Sequence, residues 1–156
     1  MNVFKTVILL TALTLLLIFI GQLVAGPAGA LVAFIIALLM NLVSFWFSDK
    51  IVIGMYRGRE ILPSDEPRIH RMVSNLSQAA NIPKPRIYLI PLNIPNAFAT
   101  GRDPKHASLA LTEGILRTLN EEELEGVISH EIAHIKNRDI LIGTIAATLA
   151  GAIMTI

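Results

Sequence analysis

The sequence predicts an α+β membrane protein. It reads as an N-terminal transmembrane helical hairpin over residues 1–48, a small cytosolic α/β domain over 49–139 built around an H-E-x-x-H helix, and the start of a third transmembrane helix over 140–156. Three observations lead there. Hydrophobic residues make up 53% of the 156 and the mean hydropathy is +0.61, above what a water-soluble domain usually carries. Charge is segregated, with Lys5 the only charged side chain outside 49–139 and all four histidines inside that segment. Finally, His130-Glu131-Ile132-Ala133-His134 sets two imidazoles and a carboxylate at the spacing of a metal site.

The first uncharged run extends from Thr6 to Ala25, about the ~20 residues a bilayer-spanning helix needs. Gly26-Pro27-Ala28-Gly29 supplies turn chemistry, and a second uncharged run continues from Ala30 to Ser48 with Trp46 near its end. A cleaved signal peptide is the competing reading of the first run, because Lys5 precedes it and Ala25 and Ala28 follow. The second run arriving after a tight turn favours insertion of both. Lys5 precedes the first span and Lys50, Arg57 and Arg59 follow the second, so the positive-inside rule puts both ends of the hairpin in the cytoplasm. The third run, Ile140 to Ile156, is short for a span and competes with a buried soluble helix. Its Gly143, Ala147 and Gly151 recur at four-residue spacing, a small-residue face suited to close helix packing in a bilayer.

In the soluble segment, Ser64 is expected to cap a helix with Pro67 in its first turn, an apolar stripe of Ile69, Met72, Val73 and Leu76, and an end at Asn81 and Pro83. Arg86 to Ile90 reads as a strand and Ser108 to Thr112 as another, joined through Asn93-Ile94-Pro95-Asn96 and a loop from Gly101 to His106. The small sheet is expected to leave one edge exposed.

The helix carrying the motif is the best-signalled element. Asn120 precedes Glu121, Glu122 and Glu123, three carboxylates favoured at the positive end of a helix dipole, and Glu123 stands where a capping box requires it. Leu119 can staple against Leu124. Four residues apart on such a helix, His130 and His134 project from one face, one turn apart, and can both reach a single Zn2+. Glu131 adjoins the first ligand without itself coordinating and is placed to act as general base toward a water. The spacing sets Glu131 among the apolar stripe Leu124, Val127, Ile128, Ile132 and Ile135, where an unpaired carboxylate would be costly. Chance occurrence of this pattern is expected in under about 1% of chains this long.

A net charge of +1 from 13 basic and 12 acidic side chains creates no field for nucleic acid. With no cysteine, thiolate ligands, thiol nucleophiles and disulfides are excluded, so a metal must be held by His and carboxylate. His106, in a loop with Asp103 and Lys105, reads as a solvated histidine rather than a third ligand, and His70, beside Arg71 on the polar side of its helix, as a surface residue. Asp139 can orient a ligand imidazole from behind or simply mark the membrane boundary.

Taken together, Pro95-Asn96-Ala97-Phe98-Ala99-Thr100-Gly101, Leu109-Ala110-Leu111-Thr112-Glu113-Gly114, Glu123-Leu124-Glu125-Gly126-Val127, the His130–His134 motif and Asn137-Arg138-Asp139 resemble the HtpX-like membrane zinc metalloproteases, a family related to the CAAX prenyl proteases. The resemblance covers essentially the whole chain. It implies a zincin-like domain and an endopeptidase in the cell inner (plasma) membrane, facing the cytoplasm. It also implies quality-control and stress-response work on misfolded or damaged membrane proteins, with the lipid bilayer as second partner. It implies a third zinc ligand as well, a glutamate beyond the third membrane region. No acidic residue follows Asp139, so the chain is expected to be the N-terminal portion of such an enzyme, with weak zinc binding by itself. Substrate is expected to add as a strand along a sheet edge at Ser108, Leu109, Ala110 and Leu111, with Asn96, Ala97, Phe98 and Ala99 supplying nearby contacts. An intramembrane protease is disfavoured by the charges at Glu121 to Glu125. A non-catalytic membrane scaffold and a zinc hydrolase of other substrates remain as alternatives, and the sequence leaves oligomeric state open.

Overall fold

A computed structural model of the chain describes residues 2–140. The expected third span therefore lies outside the described residues, apart from Ile140. The chain divides into two compact units, 1–47 and 48–156.

The first unit is formed by helix α1 (Asn2–Met55), which continues into the second unit and is interrupted once. Ala25 leaves helical geometry (φ −139°, ψ 23°), and Gly26 takes φ 62°, ψ −151°, a conformation open in practice only to glycine. Pro27 then opens the second arm, where its fixed φ and missing N–H cost nothing. The reversal is thus shorter than the four-residue turn expected from the sequence, because Ala28 and Gly29 are already helical. The arms touch where both lack side chains: a Cβ on Gly21 would overlap the Gly29 carbonyl, and one on Gly29 the Gly21 carbonyl. Further along, Asn41 Nδ2 donates to Thr14 Oγ1 at 3.0 Å, joining residues 27 apart. Residues Val7–Phe47 are long and apolar enough to cross a membrane by length and composition, and their large side chains, such as Phe19, Leu23 and Val24, are exposed rather than packed in a core.

The second unit holds a four-stranded sheet in the order β1-β2-β4-β3, made of β1 (Arg59–Glu60), β2 (Arg86–Ile90), β3 (Ala97–Gly101) and β4 (Ala107–Thr112). Strand β2 is antiparallel to β1 and parallel to β4, and β3 is antiparallel to β4. Alternation along the strands sorts the faces. Ile87, Leu89, Leu109 and Leu111 join Ile69, Met72 and Val73 of α2 (Pro67–Ala80) and Leu124, Ile128 and Ile132 of α4 (Glu121–Lys136) in the main core. On the opposite face Ile90 and Ala110 cluster with Ile53 from the end of α1, edged by Tyr88 and Phe98. Burial pushes the Tyr88 hydroxyl pKa above its ordinary value, partly opposed by Arg86 and reinforced by Glu60 and Asp49. Strand β4 is buried along its entire length, and a short helix α3 (Glu113–Thr118) follows it, N-capped by Thr112.

Two sequence expectations are corrected here. Ser64 does not cap α2: the N-cap position is Glu66 with no side-chain cap, and the Ser64 hydroxyl donates to Asp65 instead. Pro67 is at the start of the helix as expected, where it needs no N–H partner. The exposed edge is not Ser108 to Leu111 either. Strand β4 is central, paired on both sides, and among the described residues the outer strands are the two-residue β1 and β3, the latter a segment the sequence presents as connecting chain.

Candidate metallopeptidase site

Helix α4 carries the site. Asn120 Oδ1 accepts from Glu123 N at 3.0 Å and Glu123 Oε2 accepts from Asn120 N at 2.9 Å, closing the capping box. Leu124, Ile128, Ile132 and Ile135 are buried, each worth about 1.5–3 kcal/mol relative to exposure, which fixes which face of the helix remains open. Val127 is only partly buried against the same core.

On that open face His130 and His134 bring their Nε2 atoms to 3.1 Å, the rings edge to face at 4.6 Å between centroids. Two Zn–N bonds of about 2.0–2.1 Å in tetrahedral geometry hold their nitrogens about 3.3 Å apart. The observed separation is close to that of two ligands on one zinc ion. His134 Nδ1 lies 3.2 Å from Asp139 Oδ2, and donation there leaves the Nε2 lone pair facing outward, as a ligand requires. A tight turn with Arg138 at φ 58° brings Asp139 back, its N–H donating to His134 O at 3.0 Å. Among the described residues no third imidazole or carboxylate joins the pair.

Glu131 is half-buried rather than enclosed, and it has a partner that the sequence did not reveal: Oε2 accepts the Ala99 N–H at 3.0 Å. The register explains the donor. Thr112 N donates to Asn96 O at 3.0 Å, so Asn96, Phe98 and Thr100 face β4 while Ala97 and Ala99 turn their backbone groups to the open edge. Thr112 Oγ1 anchors this corner, accepting from Asn96 N at 2.9 Å and lying 2.8 Å from Ile94 O. Phe98 packs on Tyr56 with 5.5 Å between ring centroids.

The other candidates fall as follows. Asn96, Ala97 and Phe98 lie on or beside the open edge. Ser108, Leu109 and Ala110 are fully buried and cannot contact a substrate, because their strand is covered on both faces and paired on both edges. His106 is exposed in its loop, its Nδ1 2.9 Å from Asp103 Oδ1. His70 is not a surface residue: its Nε2 lies 2.9 Å from Ile61 O, while Nδ1 is buried without a partner among the described residues. Thr112 carries no role in the sequence reading, and Ala99, expected there only as a substrate contact, instead donates its N–H to Glu131. Their part depends on strand pairing, which no local pattern announced.

An H-E-x-x-H helix with its glutamate against the N–H of an open strand edge defines the class, a metallopeptidase-type site. Residues 63–156 match the family described as Peptidase family M48. The chain belongs to that family. It is 56% identical to a protease HtpX homolog of Syntrophobacter fumaroxidans over 97% of this chain and 54% of the relative. It is likewise 56% identical to one of Sulfurihydrogenibium sp. over 97% and 51%, and to one of Pyrococcus furiosus over 97% and 53%. The chain thus spans about half the length of the curated relatives it matches.

Proposed function

We propose that this chain carries the zinc-binding and proton-transferring part of a membrane-bound zinc endopeptidase. The enzyme hydrolyses peptide bonds of misfolded or damaged membrane proteins at the cytoplasmic face of the inner (plasma) membrane. The observation that carries the reading is the 3.1 Å approach of the His130 and His134 Nε2 atoms beside Glu131, itself held by the edge strand. Bound there, Zn2+ would supply Lewis acidity toward a peptide carbonyl and acidify a water. Glu131 would take a proton from a water and pass it to the leaving amine. Asp139 holds the His134 ring in its ligating tautomer. A peptide adds to the outer edge of β3, where the Ala97 backbone groups and the Ala99 carbonyl face outward and side-chain identity matters little, as suits a protease of unfolded chains. The third ligand, on the family resemblance, is a glutamate from residues outside the described ones. The exposed apolar arms of residues 7–47 support anchoring as a transmembrane hairpin with both ends in the cytoplasm.

The test uses the protein at the length of its relatives, reconstituted with zinc. It should cleave an unfolded polypeptide, lose cleavage on chelation and regain it with zinc, and be inactive as Glu131→Gln and His134→Ala. Undiminished cleavage by Glu131→Gln would refute the assignment of the base. Zinc binding without cleavage of any peptide, alongside hydrolysis of another substrate class, would refute the peptidase reading.

A further inference from the structure

We propose that a basic pocket at the C-terminal ends of α2 and α4 binds a phosphate group of the kind an anionic phospholipid headgroup presents. The pocket has a volume of about 590 Å3, and its walls include Asn81, Pro83, Asp103, Lys105, Lys136 and Arg138. Three cations thus meet one carboxylate, and that carboxylate is already committed. Asp103 accepts from Lys105 N at 2.8 Å, from His106 N at 3.0 Å and from the His106 ring at 2.9 Å, all within its own 3-10 turn (Pro104–His106). Lys105, Lys136 and Arg138 make no side-chain ion pair among the described residues.

The helix ends do not account for this charge. Each helix C-terminus carries roughly half a negative charge, and its carbonyls are largely capped here: Asn81 N donates to Gln78 O and Ser77 O, and Asn137 N to Ala133 O. After both dipoles and Asp103 are counted, about one positive charge remains, presented by two ammonium groups and a guanidinium from segments some 30 residues apart in sequence. Three cations lining one pocket raise the local potential and favour an anion there. A phosphate matches those donors. The lipid source rests on the membrane reading proposed above, whereas the phosphate site does not. Arg138 stands two residues before the uncharged run that begins at Ile140, and two residues reach at most ~7 Å. That is the thickness of one polar headgroup layer, about 5–7 Å per leaflet.

The experiment uses the full chain in neutral detergent. Phosphatidylglycerol and phosphatidylcholine of equal acyl length are offered as a mixture and retained lipid is read by native mass spectrometry. In a second arm inorganic phosphate is titrated alone and followed by 31P line broadening. Lys105→Gln, Lys136→Gln and the exposed control Arg59→Gln are compared, with melting curves to confirm folding. Phosphatidylglycerol should be retained at least about tenfold over phosphatidylcholine, and each pocket variant should lose at least about tenfold, the lower value of one charge-assisted hydrogen bond, while Arg59→Gln loses nothing. Phosphate broadening that falls in both pocket variants without any lipid preference supports the site and assigns it to a soluble phosphate. Binding of both ligands unchanged in folded Lys105→Gln and Lys136→Gln overturns the proposal, as does an equal loss in Arg59→Gln, which would mark diffuse surface charge.

Discussion

Replacing Glu131 by Gln tests whether the glutamate is positioned by the sheet edge. The carboxylate accepts the Ala99 N–H at 3.0 Å from a half-buried position. A hydrogen bond to a charged group contributes about 1.5–3 kcal/mol and a neutral one about 0.5–1.5. Gln keeps the shape and an acceptor oxygen, so the bond should weaken by about 1 kcal/mol, or roughly fivefold in the local opening equilibrium. Amide exchange at Ala99, measured by NMR or mass spectrometry, should therefore quicken about fivefold. Phe98, whose N–H faces β4, should change no more than the global stability does. In the enzyme at the length of its relatives, the same variant should lose about 10²–10⁴-fold or more in kcat while binding zinc normally. Equal exchange at Ala99 in both proteins, or acceleration spread evenly over the sheet, would refute positioning of Glu131 by β3.

Asp139→Asn should weaken zinc binding about 10- to 100-fold with little change in melting temperature, measured by competition with a chromophoric chelator, since it disturbs the tautomer of His134 and not the core. Ser108→Ala should be neutral or stabilising by up to about 1 kcal/mol in a denaturant titration, because its hydroxyl is buried without a partner among the described residues; a substrate-binding role would instead show as a raised KM. The pKa of Asp103 shows a net lowering: burial raises it, but hydrogen bonds from the His106 ring and from the N–H groups of Lys105 and His106 outweigh that. Its contribution is therefore full above the ordinary value of 3.8 and lost as pH falls through the lower folded value, so the Lys105 and His106 amides should remain protected at pH 4 and open only in stronger acid. A loop-opening midpoint above 3.8 in an NMR titration would contradict this.

What was legible in the sequence was whatever is encoded within one turn or one strand. Asn120 and Glu123 announce a capping box because both partners lie within four residues, and the His130–His134 spacing is a property of the helix itself. Arg86–Ile90 declares itself through alternating apolar residues, and the uncharged arms of α1 through their length. Ala97–Gly101 was not legible as the sheet edge. Its small, mixed residues carry no strand signal stronger than that of a loop, and edge status depends on where β4 inserts. The run Ala107–Thr112 is apolar enough to be a strand, but its burial on both faces requires the Ile53 cluster on one side and α4 on the other, contacts from other elements of the chain. The partial burial of His70 has the same origin, since its partner at Ile61 O lies before its helix begins.

These two kinds of information meet at the site. A small metal domain that relies on its ion for folding carries its ligands on segments with little other support. Here the two imidazoles stand on a helix already fixed by a capping box at one end, by four buried aliphatic side chains along one face, and by the Asp139 turn at the other end. Glu131 is fixed from outside the helix, by a strand that owes its position to β4. The ligand spacing thus follows from the local helix, while the direction of the base follows from the tertiary sheet. Because β4 supports both β3 at its edge and α4 on its face, the buried residues Leu109 and Leu111 hold the base and the ligands in register without touching either.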